Sequence, residues 1–165
     1  MIVKWHGDKV EAEIKRRQSM ALRKAGAMLE GVIKRSMQTT SKDTSKKQMS
    51  RGVVRQKRQG KKLAKYHYPS KPGFPPAIDT GRLVNSITWQ ASDGHGSSIS
   101  APATEDDKLK NPEAGPHETI CIVGTNVEYG RFLELGTIKT RPRPYLRIAL
   151  EAKRKSILKL FQGGK

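Results

Sequence analysis

Apolar residues near the start of the chain recur at helical spacing. Val10, Ile14, Ala21, Leu22, Ala25, Met28, Leu29, Val32, Ile33 and Met37 fall mostly three or four positions apart, as on an amphipathic helix that turns one face to a core. Asp8 followed by Glu11 has the form of a capping box, with Asp in place of Ser or Thr. The pattern predicts a helix ending near Met37, about 45 Å long at about 1.5 Å per residue. Lys15, Arg16, Arg23, Lys24, Lys34 and Arg35 fill its other face. Gly26 and Gly31 either weaken the helix locally or let a neighbouring element come close.

Period-two alternation replaces this pattern further on. Leu83, Ile87 and Trp89 alternate with Val84, Ser86, Thr88 and Gln90, which predicts a half-buried strand over Leu83–Ala91, entered by a turn at Asp79-Thr80-Gly81. Glu118–Gly124 reads as a second strand, with Ile120 and Ile122 on one face and Cys121 and Val123 on the other. Being apolar on both faces, it is predicted to lie centrally in its sheet. Between them, residues 92–117 are rich in Gly, Ser and Pro around an acidic Glu105-Asp106-Asp107, predicting a long hairpin or insertion with a short strand at Ser97–Ala101. Tyr129–Leu135 reads as a short helical turn stopped by Gly136. Pro142 and Pro144 hold the next stretch extended, with Pro144 placed as the first residue of a closing helix. Leu146, Ala149, Leu150, Ile157, Leu160 and Phe161 line one face of that helix up to Gly163-Gly164.

Charge changes the picture. The 165 residues include 33 Lys+Arg and 15 Asp+Glu, a net charge of +18, and 35% are hydrophobic. Residues 1–82 hold 21 basic and 6 acidic residues, whereas residues 83–165 hold 12 and 9. The excess concentrates between Lys42 and Lys65, with 10 basic residues against the single acid Asp43. Such a stretch cannot repay its own ordering entropy, so residues 39–65 are predicted to be an extended arm, helical over Met49–Ala64 once bound. It lies along phosphates or an acidic neighbour, or is a plain solvated linker. Tyr66-His67-Tyr68-Pro69 and Lys71-Pro72-Gly73-Phe74-Pro75-Pro76 then form a proline-stiffened link. One domain results: a helix over 1–38, an arm and linker over 39–78, and a core over 79–165.

The candidates for chemistry are sparse. His6, His67, His95 and His117 are scattered without metal-ligand spacing, and strand-like surroundings keep His117 from meeting Cys121. Cys121, the one cysteine, excludes an intramolecular disulfide and a thiolate cage, and is expected to be a buried, inert thiol. Glu128 and Glu134 could be imagined as an acid/base pair, but ion pairing with Arg131, Arg141 or Arg143 suits them better. Phosphate-loop, dinucleotide and zinc motifs are absent, so no cofactor, metal or catalysis is expected. Met1 to Asp8 lacks the apolar run of a signal peptide, and no stretch approaches the roughly 20 apolar residues of a membrane span. The expected setting is a reducing cytoplasm. Nucleic acid is the rival partner: Lys46, Lys47, Arg51, Arg55, Lys57, Arg58, Lys61 and Lys62 would meet phosphates, and Tyr66, His67 and Tyr68 would stack on bases. No sequence-reading motif accompanies them, so that contact would be non-specific.

Two blocks resemble a known family. Pro72-Gly73-Phe74-Pro75-Pro76-Ala77-Ile78-Asp79-Thr80-Gly81-Arg82-Leu83-Val84-Asn85-Ser86-Ile87 resembles the "P…DTGRLxxSI" block of the neck, or tail-completion, proteins of long-tailed bacteriophages. Val127-Glu128-Tyr129-Gly130 through Leu133-Glu134-Leu135-Gly136-Thr137, then Arg141-Pro142-Arg143-Pro144-Tyr145-Leu146-Arg147-Ile148-Ala149-Leu150, is similar to that family's "YAxxxExGT…PxPFLxPAL" signature. Gly130 stands for the usual Ala, Leu135 for an aromatic, Tyr145 for Phe and Ile148 for Pro. With the elements they join, the blocks cover about half the chain, outside the basic arm and the acidic insertion.

The resemblance implies an α+β fold, with a long N-terminal helix and a C-terminal helix packed on a small, mainly antiparallel sheet. It implies a structural virion protein of the neck, forming a ring, usually sixfold, around the DNA channel. Its partners would be other copies of itself, the head–tail connector or stopper protein, and the tail terminator or tail tube protein, with packaged DNA in the channel and no membrane. Tyr129, Phe132, Leu133, Glu134, Gly136, Arg141, Arg143, Tyr145 and Leu146 would form structural and subunit-contact elements, and Asp79, Thr80, Gly81 and Arg82 the motif turn. For the apolar members, plain core packing is the competing role. The alternative function is a non-specific nucleic-acid-binding module using residues 42–65.

Overall fold

The structure, a computed structural model, describes residues 7–50, 70–115 and 118–162. It is an α+β fold. A long helix α1 (Gly7–Ser50) is followed by a single turn of helix α2 (Arg82–Ser86), strand β1 (Thr88–Ala91), a 3₁₀ turn at Glu105–Asp107, strand β2 (Cys121–Gly124), helix α3 (Glu128–Leu135) and helix α4 (Leu146–Phe161). The arm positions Arg51, Arg55, Lys57, Arg58, Lys61 and Lys62, the aromatics Tyr66, His67 and Tyr68, and Gly163-Gly164 lie outside the described residues.

At both ends, α1 is longer than its apolar stripe predicts. Its 44 residues span about 66 Å. Past Met37 the apolar period stops, but Gly and Pro are absent until Gly52. There the hydroxyls of Thr39, Thr40 and Ser41 donate to the carbonyls of Arg35, Ser36 and Met37 at 3.0, 3.0 and 2.9 Å. The reading of an arm beginning at residue 39 is therefore corrected: residues 39–50, Lys46 and Lys47 among them, are helical. At the other end Asp8 sits inside the first turn rather than at the cap. Val10 and Ile14 remain exposed, and the stripe becomes buried only from Ala21 onward.

The predicted strand over Leu83–Ala91 divides in two. Gly81, with φ of 87°, adopts a left-handed conformation that favours glycine and opens α2. Leu83, Val84 and Ile87 then turn together into the core, a spacing one helical turn serves as well as alternation does. Only Thr88–Ala91 forms a strand, and it pairs antiparallel with β2 in the register Thr88↔Gly124 to Ala91↔Cys121. Among the described residues the sheet has two strands, so β2 lies at an edge rather than centrally. The strand predicted at Ser97–Ala101 reduces to one bridge between Gln90 and Gly96.

Helix α1 crosses this sheet at Gly26. A Cβ there would stand 2.9 Å from Cys121 Sγ and 3.0 Å from Trp89 Cγ, so glycine is what permits the approach. A polar tie reinforces it: Arg23 pairs with Asp93 at 2.8 Å, and the Ser19 hydroxyl also donates to Asp93. Further along α1, Ile33 and Met37 meet Leu83, Val84, Ile87, Val127, Tyr145 and Ala149 in the core. Helix α4 begins at Leu146, two residues after Pro144, so the proline precedes the helix instead of opening it. The face expected to be apolar is only partly covered: Ala149 is buried, whereas Leu150 and Phe161 are exposed.

Candidate docking surface

Both sequence blocks converge on α1 around Met37. Asp79, Thr80 and Gly81 line an open groove of about 420 Å³ together with Met37, Leu133 and Arg143. Tyr129, Ile78 and Leu83 complete its apolar part. The Arg143 Nε donates to the Ser70 carbonyl at 3.0 Å, and the Arg143 N–H donates to the Leu133 carbonyl at 2.7 Å. The segment after α3 is thereby held against the proline-rich linker at Ser70. The Ser70 hydroxyl, itself buried, has no hydrogen-bond partner among the described residues.

The motif turn is anchored by a residue from the insertion. Arg82 donates to both oxygens of the buried Asp107, at 2.8 and 2.7 Å, a bidentate geometry that fixes both groups. The Arg82 hydrogen bonds outweigh desolvation, and with a further bond from the Thr104 N–H they hold the Asp107 carboxyl at about 2. Asp107 also closes the 3₁₀ turn in a capping box with Thr104. Its carbonyl takes the Asn126 N–H at 3.0 Å, so the acidic insertion pins the loop between β2 and α3. The Thr80 hydroxyl accepts the Arg82 N–H at 3.3 Å.

Glu134 does something the pattern did not indicate. Instead of pairing with Arg131, Arg141 or Arg143, its carboxylate accepts the N–H groups of Tyr145, Leu146 and Arg147 at 2.7, 3.0 and 3.0 Å. The first turn of a helix carries orphan donors and partial positive charge, and no cap comes from the side chain of Tyr145. Glu134 supplies that cap from a different helix. Glu128 does stand near Arg131, at 4.0 Å on the surface. Tyr145 is 1% exposed, and burial, with Glu134 nearby, pushes its phenol up. Its hydroxyl lies 2.9 Å from where a Cβ on Gly130 would be.

The candidate contact residues thus separate by burial. Tyr145 belongs to the core, and Leu133 and Leu146 pack against it. Gly136, at φ 82°, stops α3 with its N–H on the Phe132 carbonyl at 2.9 Å. Tyr129, Phe132 and Arg141 stay exposed, with the Arg131 guanidinium 4.7 Å over the Phe132 ring. Two exposed apolar residues join them that periodicity left unassigned: Leu135, 78% exposed, and Ile138, fully exposed. Ile138 rides on a turn tied by backbone bonds between Thr137 and Thr140 of 2.8 and 3.3 Å. Phe132, Leu135 and Ile138 recur every three residues around the C-terminal end of α3.

Other predicted features are placed more simply. Cys121 is half-buried beneath α1, and burial raises its thiol, with the charge of Asp93 adding to the effect. His95 bonds locally to Asp93. No group of three His, Cys, Asp or Glu suited to a metal ion stands together among the described residues. None of their helices is long and apolar enough to cross a membrane. Compared with protein-family models, with curated proteins and with solved structures, the chain matches none.

Proposed function

We propose that this chain is a structural, non-catalytic subunit of the neck of a long-tailed bacteriophage or prophage, where it joins head to tail as part of a ring around the DNA channel. One observation carries the reading: the two blocks that resemble neck proteins, separated in sequence by residues 88–126, are packed as a single unit. The Asp79–Arg82 turn, the Tyr129–Leu135 helix and the Arg143–Leu146 entry to α4 share one groove and one core. Two of their polar members hold geometry: Glu134 caps α4 and Arg82 grips Asp107. A motif used in this way preserves a rigid docking shape, which lowers the ordering cost of assembly.

Phe132, Leu135 and Ile138, with Tyr129 and Arg141 beside them, supply an exposed surface for a neighbouring copy, and head-to-tail contacts of this kind close into rings. The partners in this reading are further copies of the chain, a connector or stopper on the head side and a terminator or tube protein on the tail side. Electron microscopy of a lysate carrying an early stop codon in this gene tests it. Full heads and finished tails lying apart, rejoined when the protein is supplied, are the expected result. Normal infectious particles would overturn the neck assignment.

A further inference from the structure

The outer edge of β2 is where this fold leaves backbone hydrogen bonds unmade. On β1, the Ala91 N–H donates to the His95 carbonyl at 2.8 Å and the Trp89 carbonyl accepts from the Ser97 N–H at 3.0 Å. Those two residues therefore face away from β2, and returning chain occupies that edge of the sheet. Thr88 and Gln90 face β2, opposite Gly124 and Ile122. By the alternation of an antiparallel ladder, the main-chain groups of Cys121 and Val123 point to the far side. No described residue bonds them there.

At four residues the strand is short, but its edge lacks the other usual protections. Exposed edges are normally blunted by lysine, proline or a bulge, yet Thr119–Val127 contains neither a charged residue nor a proline. Side chains divide by the same alternation: Cys121 lies under α1 at Gly26, and Ile122 points to the opposite face, 42% exposed. An edge of this kind is completed by an added strand.

Charge and symmetry single out which strand. Two copies of a chain with net charge +18 repel over most of their surfaces, but not along an uncharged edge. We propose that β2 pairs antiparallel with β2 of a second copy across a two-fold axis, making one continuous four-stranded sheet. Cys121 then exchanges backbone hydrogen bonds with the partner's Val123, and Val123 with the partner's Cys121. The two Ile122 side chains meet directly opposite on the open face, covering each other. A two-fold contact closes on itself and is separate from the head-to-tail contacts of a ring, so its failure leaves the neck reading untouched.

Sedimentation equilibrium on the purified full-length chain, with Ile122→Glu and Ile122→Lys, tests the pairing. Like charges placed directly opposite across the axis oppose association, so each variant should dimerise at least about tenfold more weakly than the native chain. An equimolar mixture of the two should recover the dimer. A native chain that stays monomeric, or variants that associate as the native chain does, would overturn the proposal. A Cys121→Ser, Ile122→Cys chain provides a reading that does not depend on charge. Directly opposed positions bring Cβ atoms to about 4.5–5.5 Å, so mild oxidation should link two copies, and absence of that link counts against the register.

Discussion

Two departures from the resembled signature explain each other at the level of single atoms. The pattern carries Ala where this chain has Gly130, and Phe where it has Tyr145. The Tyr145 hydroxyl takes up the space of the missing methyl, 2.9 Å from an added Cβ, with Thr125 Cγ2 at 3.0 Å. Gly130→Ala gains up to about 1 kcal/mol of helix propensity, but overpacking beside a fully buried ring costs about 1–3 kcal/mol. The single variant should therefore be destabilised by about 1 kcal/mol. In a Tyr145→Phe background the same change should be neutral or stabilising, a coupling of about 1–2 kcal/mol that urea unfolding of the four proteins would measure. A second prediction concerns Asp107. Its carboxyl sits at about 2 in the fold and near 4 when unfolded. A depressed carboxyl contributes fully above the unfolded value and loses that contribution as pH falls from about 4 to about 2. The urea midpoint of Asp107→Asn should lie below the native one at neutral pH, with the gap shrinking across that acid window. A gap that stayed constant would mean the Arg82 pair contributes nothing through charge. Neither the Asp107–Arg82 pair nor the Glu134 cap was legible beforehand, because Asp107 lies 25 residues from Arg82, and Glu134 lies 11 residues or more from the amides it caps.

Among the elements, those written in a single period were legible and those shaped by tertiary contact were not. The apolar stripe of α1 marked a helix, and the run from Leu146 marked α4, because each keeps one helical period even where its face is only partly covered. Ile33 and Met37 are buried as their spacing requires. The α1 terminus was hidden because Thr39, Thr40 and Ser41 carry no apolar signal while bonding back along the helix. The start of α2 was hidden because Leu83, Val84 and Ile87 fit both periods, and the left-handed Gly81 decided between them. The two glycines of α1 show the same division, since sequence alone could not say which one admits a neighbour. An added Cβ at Gly26 meets Cys121 Sγ at 2.9 Å, whereas at Gly31 it meets only the Arg35 side chain at 3.7 Å. Gly31→Ala should accordingly stabilise the protein by about 0.5–1 kcal/mol. Gly26→Leu should destabilise it by about 1–3 kcal/mol, since the sheet must move away from the helix. Thermal melts of the two variants would check this, and a stabilised Gly26→Leu would show that α1 and the sheet do not pack as described.

Across the whole molecule, apolar contact and charge occupy different parts of the chain. The core and both signature blocks draw mainly on residues 78–149, where acids nearly balance bases, while residues 1–82 carry 21 basic residues against 6 acidic ones. The helices were legible from periodicity and the α+β class was what the resemblance implied, but the destination of this charge was not legible, because a run of basic residues has no apolar period to read. Under the neck reading the excess can serve either packaged DNA or an acidic protein surface, and the two differ in their response to salt. Each phosphate neutralised contributes about 0.9 to the slope of log affinity against log salt on duplex DNA. Replacing Arg51, Arg55, Lys57, Arg58, Lys61 and Lys62 by Gln should therefore lower that slope by up to about 5 if all six lie on phosphates. A gel-shift titration of native and variant chains over a salt series measures the difference. With the docking surface intact, the same variant is expected to enter virions at the native level, because Phe132, Leu135 and Ile138 are left unchanged. A lowered slope together with normal incorporation would make the arm an accessory DNA contact on a ring assembled by other residues. An unchanged slope with lost incorporation would instead assign those cations to an acidic protein surface in the neck.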